Sequence, residues 1–194
     1  MAAKIKKKTR ADKWKKKTWF TIFAPDSFNR KEIAKTVASK PESVKGRVLT
    51  VSARDVANQA RKQYIMLKFK VMEVNGDKAY TKLVGHEVRD SYLKRMARRR
   101  ASKIQTVQDA FTKDGVKVRV KAISITDRKA RKIQETGISK VQKEQIAAFC
   151  KDKNSDDVIG ELVFGNPGEG IIKAARNIFL VKRVEIAKTK LLAK

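Results

Sequence analysis

Apolar and polar positions alternate most cleanly between residues 65 and 72. Ile65, Leu67, Phe69 and Val71 fall on one side, and Met66, Lys68, Lys70 and Met72 on the other. This is the period of two expected of a half-buried strand. Asn75-Gly76 follows, a pair suited to the left-handed positions of a tight hairpin turn, and 78–88 reads as the returning strand. The scheme repeats with a strand over 102–112, a turn at Lys113-Asp114-Gly115 and a return over 116–126. In that return Val116, Val118 and Val120 oppose Lys117, Arg119 and Lys121. The apolar phase then shifts at Ala122-Ile123, with Ile123 and Ile125 in the new phase. A shift of one residue predicts a β-bulge and a bent strand.

Further strands are predicted at 19–23, closed by Ala24-Pro25-Asp26, at 46–53 and at 177–188. Helical spacing predicts a short helix over 30–39 capped by Asn29 and stopped by Pro41. Others follow over 90–100 with Asp90 as N-cap, over 130–149 with strain at Gly137, over 156–164, and over 170–176 after the turn Gly165-Asn166-Pro167-Gly168. The order fits an α+β fold: a curved antiparallel β-sheet or small β-barrel with flanking helices and basic flexible termini. Residues 1–17 hold nine basic residues and one acid, Asp12, with little apolar content, so they are expected to order only against phosphate. The folded domain is expected over 18–188 and a basic tail over 189–194.

Charge narrows the function. The 194 residues are 41% hydrophobic, enough for a core, yet 48 Lys and Arg stand against 20 Asp and Glu, a net charge of +28. Such a domain repels itself unless a polyanion neutralises it. Nucleic acid is the leading partner. An anionic membrane is the weaker one, because the basic arm lacks bulky apolar anchors. One cysteine, Cys150, and one histidine, His86, exclude an intramolecular disulfide and a Cys/His zinc set. No stretch reads as a signal peptide or a membrane span, so the expectation is a soluble intracellular protein with no cofactor. His86 has no carboxylate or nucleophile near it in sequence and reads as a structural histidine. The glycines of 165–170 lack the Lys-Ser/Thr ending of a phosphate loop and read as a turn. No catalytic constellation emerges, and the chain is read as a non-enzyme.

The candidate RNA-binding residues follow from where cations gather. The arm supplies Lys6, Lys7, Lys8, Arg10, Lys13, Lys15, Lys16 and Lys17, with Trp14 as a base-stacking side chain. At about 100° per residue, Lys94, Arg98, Arg95 and Arg99 share one arc of the helix at 90–100, with Tyr92, Leu93, Met96 and Ala97 opposite. Arg100 falls in the apolar arc, so the helix is expected to end or unwind there. Between 91 and 108 no acid offsets these charges, and arginine donates two parallel hydrogen bonds to phosphate. Lys103, the strand residues Lys117, Arg119 and Lys121, and Arg128 and Lys129 in the next turn extend the set. Arg47, Arg54, Arg61 and Lys62 are further candidates with weaker support. Trp19 and Tyr92 are expected in or against the core. Five acids between Asp152 and Glu169 against the single base Lys153 mark a stretch expected to face away from RNA. With no base-reading motif in the chain, recognition is expected to rest on backbone and shape.

The order of several short motifs resembles a known family. Lys16-Lys17-Thr18-Trp19-Phe20 with Ala24-Pro25 and Phe28, then Gly46-Arg47 and Asp55, look like its entry. Thr81, Gly85 and Arg89-Asp90 lead to Arg98-Arg99-Arg100 and Lys103-Ile104. Val118-Arg119, Thr126 and Arg128 follow, and Lys182-Arg183-Val184-Glu185-Ile186 with Lys188 and Lys190 resembles the closing strand. Together they are similar to the archaeal and eukaryotic small-subunit ribosomal proteins of the eukaryotic-type S-one family, also called the S-three-a family. The size resembles the archaeal members. Two positions depart from the family pattern: Ile178-Phe179-Leu180-Val181 stands where Ile-Tyr-Pro-Leu is usual, and Ala187 where Arg is usual. The resemblance implies a structural role in the cytoplasmic small subunit, on the platform near the messenger exit and the 3′ end of the small-subunit RNA. Small-subunit rRNA and neighbouring platform proteins are the implied partners, with mRNA and initiation factors close by. The alternative reading is a free RNA chaperone or a subunit of an RNA-modifying complex.

Overall fold

The computed structural model describes residue 14 and residues 16–192. Hydrogen bonding joins eight strands in the order β2-β1-β5-β8-β7-β6, with β4 also on β5 and β3 on β4. These are β1 (Thr18–Phe23), β2 (Glu32–Ala38), β3 (Val48–Ser52), β4 (Ile65–Asn75), β5 (Lys78–Val88), β6 (Lys103–Phe111), β7 (Lys117–Thr126) and β8 (Val181–Leu192). The fold is α+β with an open sheet, not a closed barrel. Its β1–β5 pair is parallel, where an antiparallel sheet was expected. The helices are α1 (Ala53–Ala57), α2 (Asp90–Met96), α3 (Lys132–Lys151), α4 (Ser155–Phe164) and α5 (Gly168–Ala175). The chain divides into two compact units, one from residues up to Leu49 with Phe69–Lys82, the other from Thr50–Lys68 with Leu83 onward.

In the first unit β1 turns Phe20 and Ile22 into a core with Ala38, Val44, Val71 and Ala79. The same alternation puts Trp19 on the outside, 62% exposed, which corrects its expected burial. The helix expected over 30–39 is the strand β2. Asn29, at φ 55°, ends a 3-10 turn at Asp26–Phe28 and does not cap a helix. Ile33, Thr36 and Val37 are β-branched, and pairing of Thr18–Phe23 with β2 supplies hydrogen bonds that a local helical pattern cannot anticipate. Both hairpin turns hold glycine in the left-handed region, Gly76 at φ 57° here and Gly115 at φ 71° in the second unit.

The second unit stacks α3, α4 and α5 on one face of β6, β7 and β8. Ile104, Ala110, Val118, Val120, Ala122 and Ile186 meet Ile138, Ile146, Cys150, Val158, Leu162 and Ile171. Gln142 is the polar member of this layer. Its amide accepts from the Thr106 hydroxyl and donates to Ser124, tying α3 to β6 and β7. The helix α3 runs unbroken through Gly137, where a Cβ would stand 3.3 Å from two carbons of Ile178. The glycine there makes room for a neighbour and does not break the helix. On β5, a Cβ at Gly85 would collide with the Thr189 carbonyl of β8.

The phase shift at Ala122-Ile123 has a different cause from the one expected. β7 pairs with β6 in unbroken register from Lys103↔Ile125 to Phe111↔Lys117. Its residues therefore keep strict alternation. The apolar pattern changes phase because the second face of β7 also becomes buried there. Ile123 and Ile125 lie with Ala187 under Leu93, Met96 and Ala101. The extra residue sits on β8 instead, where Lys121 pairs with Lys188 and Ala122 with Ile186, leaving Ala187 between them. That final strand continues to Leu192, beyond the boundary expected at Lys188.

Candidate nucleic-acid interface

At the end of β5 the Arg89 N–H donates to the Tyr64 carbonyl at 2.9 Å, and α2 begins. Arg89, not Asp90, occupies the cap position, and Asp90 stands in the first turn, where its charge suits the helix dipole. The apolar side of α2 lies on the sheet through Leu93 and Met96. Tyr92 is 9% exposed. It stacks on Tyr64 with centroids 3.8 Å apart and planes 9° apart, and donates its hydroxyl to Glu185 Oε1 at 3.3 Å. Burial, reinforced by Tyr64 and by the negative Glu185, pushes its phenol well above the usual range, so Tyr92 remains a neutral donor.

The helix ends earlier than the wheel of charges requires. Ala97 is extended and Arg100 is left-handed at φ 68°. Lys94 and Arg95 therefore project from the helix, while Arg98, Arg99 and Arg100 belong to the loop that follows. The fold still gathers most of them. An open cleft of about 720 Å³ is floored by Tyr92, Met96 and Ile125 and rimmed by Arg95, Arg98, Arg99, Lys182 and Arg183, with Asp127, 4.0 Å from Lys182, as the acid in its lining. The guanidinium carbons of Arg95 and Arg183 lie 5.7 and 5.5 Å from the Tyr92 ring centre. Among the described residues, Lys94, Arg95, Arg98, Arg99, Arg100 and Lys103 have no acid within ion-pair distance, and all are exposed.

Cross-strand register extends the basic surface over the sheet face opposite α3, α4 and α5. Lys103 of β6 and Lys117, Arg119 and Lys121 of β7 share this face with Arg183, Lys188 and Lys190 of β8. Exposed Val107 and Phe111, the latter 58% exposed, lie among them. Asp109 is the local counter-ion. Arg119 grips it through two hydrogen bonds of 2.7 and 2.9 Å, and Lys117 approaches to 3.1 Å, which holds its carboxyl well below the usual range. Lys117 and Arg119 thus offer less unmatched charge than the α2 loop does.

The remaining candidates fall into separate groups. Arg47 spends its guanidinium internally, donating to Ser43 O at 2.9 Å, Thr36 Oγ1 at 2.6 Å and Val37 O at 3.2 Å. Lys62 donates to Val163 O at 2.9 Å and lies over the Phe164 ring. Arg128 and Lys129 are exposed in the turn after β7, with Arg128 4.0 Å from Asp127. Trp14, Lys16 and Lys17 are exposed, and the Lys17 ammonium sits 4.7 Å from the Trp14 ring centre. Lys6, Lys7, Lys8, Arg10, Lys13 and Lys15 lie outside the described residues. Arg89, Lys182 and Arg183 enter the sequence pattern only as family motifs, not as binding residues. Nothing local marks them, and only the pairing of β8 with β7 brings Arg183 beside Tyr92.

The other chemically interesting side chains are occupied structurally. His86 is buried. Its Nε2 meets the Ile186 carbonyl at 2.9 Å, and its Nδ1 meets the Thr189 hydroxyl at 2.7 Å. The carbonyl can only accept, so Nε2 carries the proton and Thr189 donates to Nδ1. Burial pushes the imidazole pKa down to about 4. Cys150 is buried in the helical layer, which pushes its thiol up to about 11. The acids from Asp152 to Glu161 go with that layer, with Glu161 paired to Lys153, whereas Glu169 borders a cleft that Lys62, Lys182 and Arg183 also line. No described helix is long and apolar enough to cross a membrane.

The sequence pattern of the Ribosomal S3Ae family matches residues 5–194. This chain belongs to that family. A protein of Methanoculleus marisnigri named small ribosomal subunit protein eS1 is 34% identical over 191 residues, 98% of this chain and 97% of its own length. Proteins of the same name from Methanococcus vannielii and Methanothrix thermoacetophila are 37% and 36% identical. They cover 96% and 100% of this chain, and 84% and 90% of their own lengths.

Proposed function

We propose that this chain is a structural constituent of the cytoplasmic small ribosomal subunit and acts by neutralising rRNA phosphates. The observation that carries the reading is the cluster of Arg95, Arg98 and Arg99 around the Tyr92 cleft. Among the described residues none of these cations is ion-paired, the Asp127 carboxylate of the same cleft lying within 4.0 Å of Arg128 and Lys182 instead, in a chain whose near full-length relatives bear the name of a small-subunit protein. The sheet face from Lys103 to Lys121, the turn at Arg128 and Lys129, and the basic segments 1–17 and 189–194 add phosphate contacts around it. The subunit platform near the messenger exit is the proposed place. Neighbouring platform proteins, mRNA and initiation factors adjoin it there, and the acidic residues from Asp152 to Glu161 turn away from RNA.

Tagged full-length chain should sediment in lysate almost wholly with small subunits and leave them at high salt. Chemical footprinting of small subunits with and without the protein should show protection near the 3′ end of the RNA. A free pool at the top of the gradient overturns the ribosomal reading. Protection confined to another region overturns the platform placement alone.

A further inference from the structure

A second cleft, of about 760 Å³, shares Tyr92, Arg95 and Arg183 with the first and is otherwise walled by residues such as Arg61, Gln63, Tyr64 and Arg89. No Asp or Glu lines it. Its aromatic wall is built in advance. Tyr92 is fixed by its hydroxyl on Glu185 and by the two guanidinium groups near its ring. Tyr64 stacks on Tyr92, is only partly buried, and borders the cleft. Its backbone is pinned where its carbonyl accepts the Arg89 N–H. Arg61 is presented from a 3-10 turn anchored by the Lys62 bond to Val163 O.

A pre-formed aromatic stack with arginines around it and no acid in its lining suits a ligand with one flat π face and an adjoining anion. Gln63 can both donate to and accept from a polar edge. A base-paired residue inside a helix has both faces covered by its neighbours and offers none to Tyr64. The shared arginines connect this cleft with the arginine rim of the first, so the anion is one of a chain of phosphates. We infer that this cleft holds a single unpaired nucleotide of RNA. Its base extends the Tyr92–Tyr64 stack, and its phosphate lies among Arg61, Arg89 and Arg95. The inference rests on the RNA-binding reading above and adds which RNA feature is recognised.

The test compares two RNA hairpins that differ only by one bulged adenosine, titrated with the full chain. Wild type should bind the bulged hairpin about tenfold more tightly, the scale of one base–aromatic stack. Tyr64→Leu should erase that preference and leave affinity for the paired hairpin unchanged. 2-Aminopurine at the bulge should be quenched by wild type and not by the variant. Should Tyr64→Leu fail to fold, Arg61→Ala and Gln63→Ala at exposed positions must reduce the preference instead. Equal wild-type affinity for both hairpins overturns the nucleotide site while sparing the phosphate interface. An equal loss on both hairpins in Tyr64→Leu also overturns it. Failure to bind either hairpin overturns the RNA-binding reading itself.

Discussion

Replacing Arg95, Arg98 and Arg99 together by Ala tests the phosphate interface with little risk to the fold. All three side chains are exposed, and two of them follow the last helical residue, Met96. Among the described residues, the internal interaction removed is the Arg95 contact with the Tyr92 ring, worth about 0.5–1 kcal/mol at an exposed site. That corresponds to roughly 1–4 °C in melting temperature for a chain of this size. The effect on binding is much larger. Each phosphate neutralised changes the slope of log K against log salt by about 0.7–0.9. Three lost contacts should therefore flatten the slope by about 2 to 3. At ~0.15 M salt, release of the counter-ions from one phosphate is worth about 1 kcal/mol, so affinity should fall on the order of a hundredfold. Filter binding or anisotropy with a small-subunit RNA fragment from 50 to 300 mM salt, beside a thermal melt, reads both quantities. An unchanged slope in a folded triple variant would remove the cleft from the interface. A large melting loss would show that the arginines support the fold instead.

Two further predictions concern the scaffold. His86 is neutral in the fold with its pKa pushed down to about 4 by burial, whereas an unfolded histidine titrates near 6.5. As pH falls below ~6.5 the unfolded chain takes up the proton first, so stability is lost between about 6.5 and 4, by up to roughly 3 kcal/mol. The stability gap between wild type and His86→Gln in urea titrations should shrink over that window, and a gap independent of pH would contradict the assignment. Gln142→Leu should cost roughly 1–3 kcal/mol for each buried hydroxyl, Thr106 and Ser124, that loses its partner. Adding Thr106→Val and Ser124→Ala should recover much of that loss in denaturant melts, and a neutral single variant would show that the amide bridge carries no weight.

What could be read from the sequence was local. Asn75-Gly76 and Asp114-Gly115 announce both hairpins because their backbone demand is met within a few residues, and the glycines do sit at positive φ. The strand β5 falls at 78–88 as its pattern says. Errors arise wherever a distant partner decides. The helical spacing at 30–39 yields to pairing with β1. The apparent shift at Ala122-Ile123 records the arrival of α2 on a second face of β7. The arginine run was legible as charge, but its geometry was not, because the helix that was to display it stops at Met96. Lys182 and Arg183 could not be placed beside Tyr92 without the β7–β8 register.

The distribution of acids on the basic side of the second unit has a physical consequence for binding. Asp109 is shared by Arg119 and Lys117, and Glu87 by Lys68 and Lys188. Asp127 lies within 4.0 Å of both Arg128 and Lys182. A carboxylate between two cations cancels one charge and leaves one. It also holds two long side chains in place, each of which otherwise loses up to about 2 kcal/mol of rotamer freedom when a ligand immobilises it. Over such triplets the field stays positive while part of the ordering cost is met in the free protein. Among the described residues the loop from Arg98 to Arg100 has no acid within ion-pair distance, Asp127 of the Tyr92 cleft being shared by Arg128 and Lys182. Its arginines must be ordered by the RNA itself, so they should contribute most to salt dependence, while the triplets contribute orientation. Neutralising Asp109 should accordingly raise the net charge yet loosen Arg119 and Lys117, and for that reason gain less affinity than one added charge would suggest.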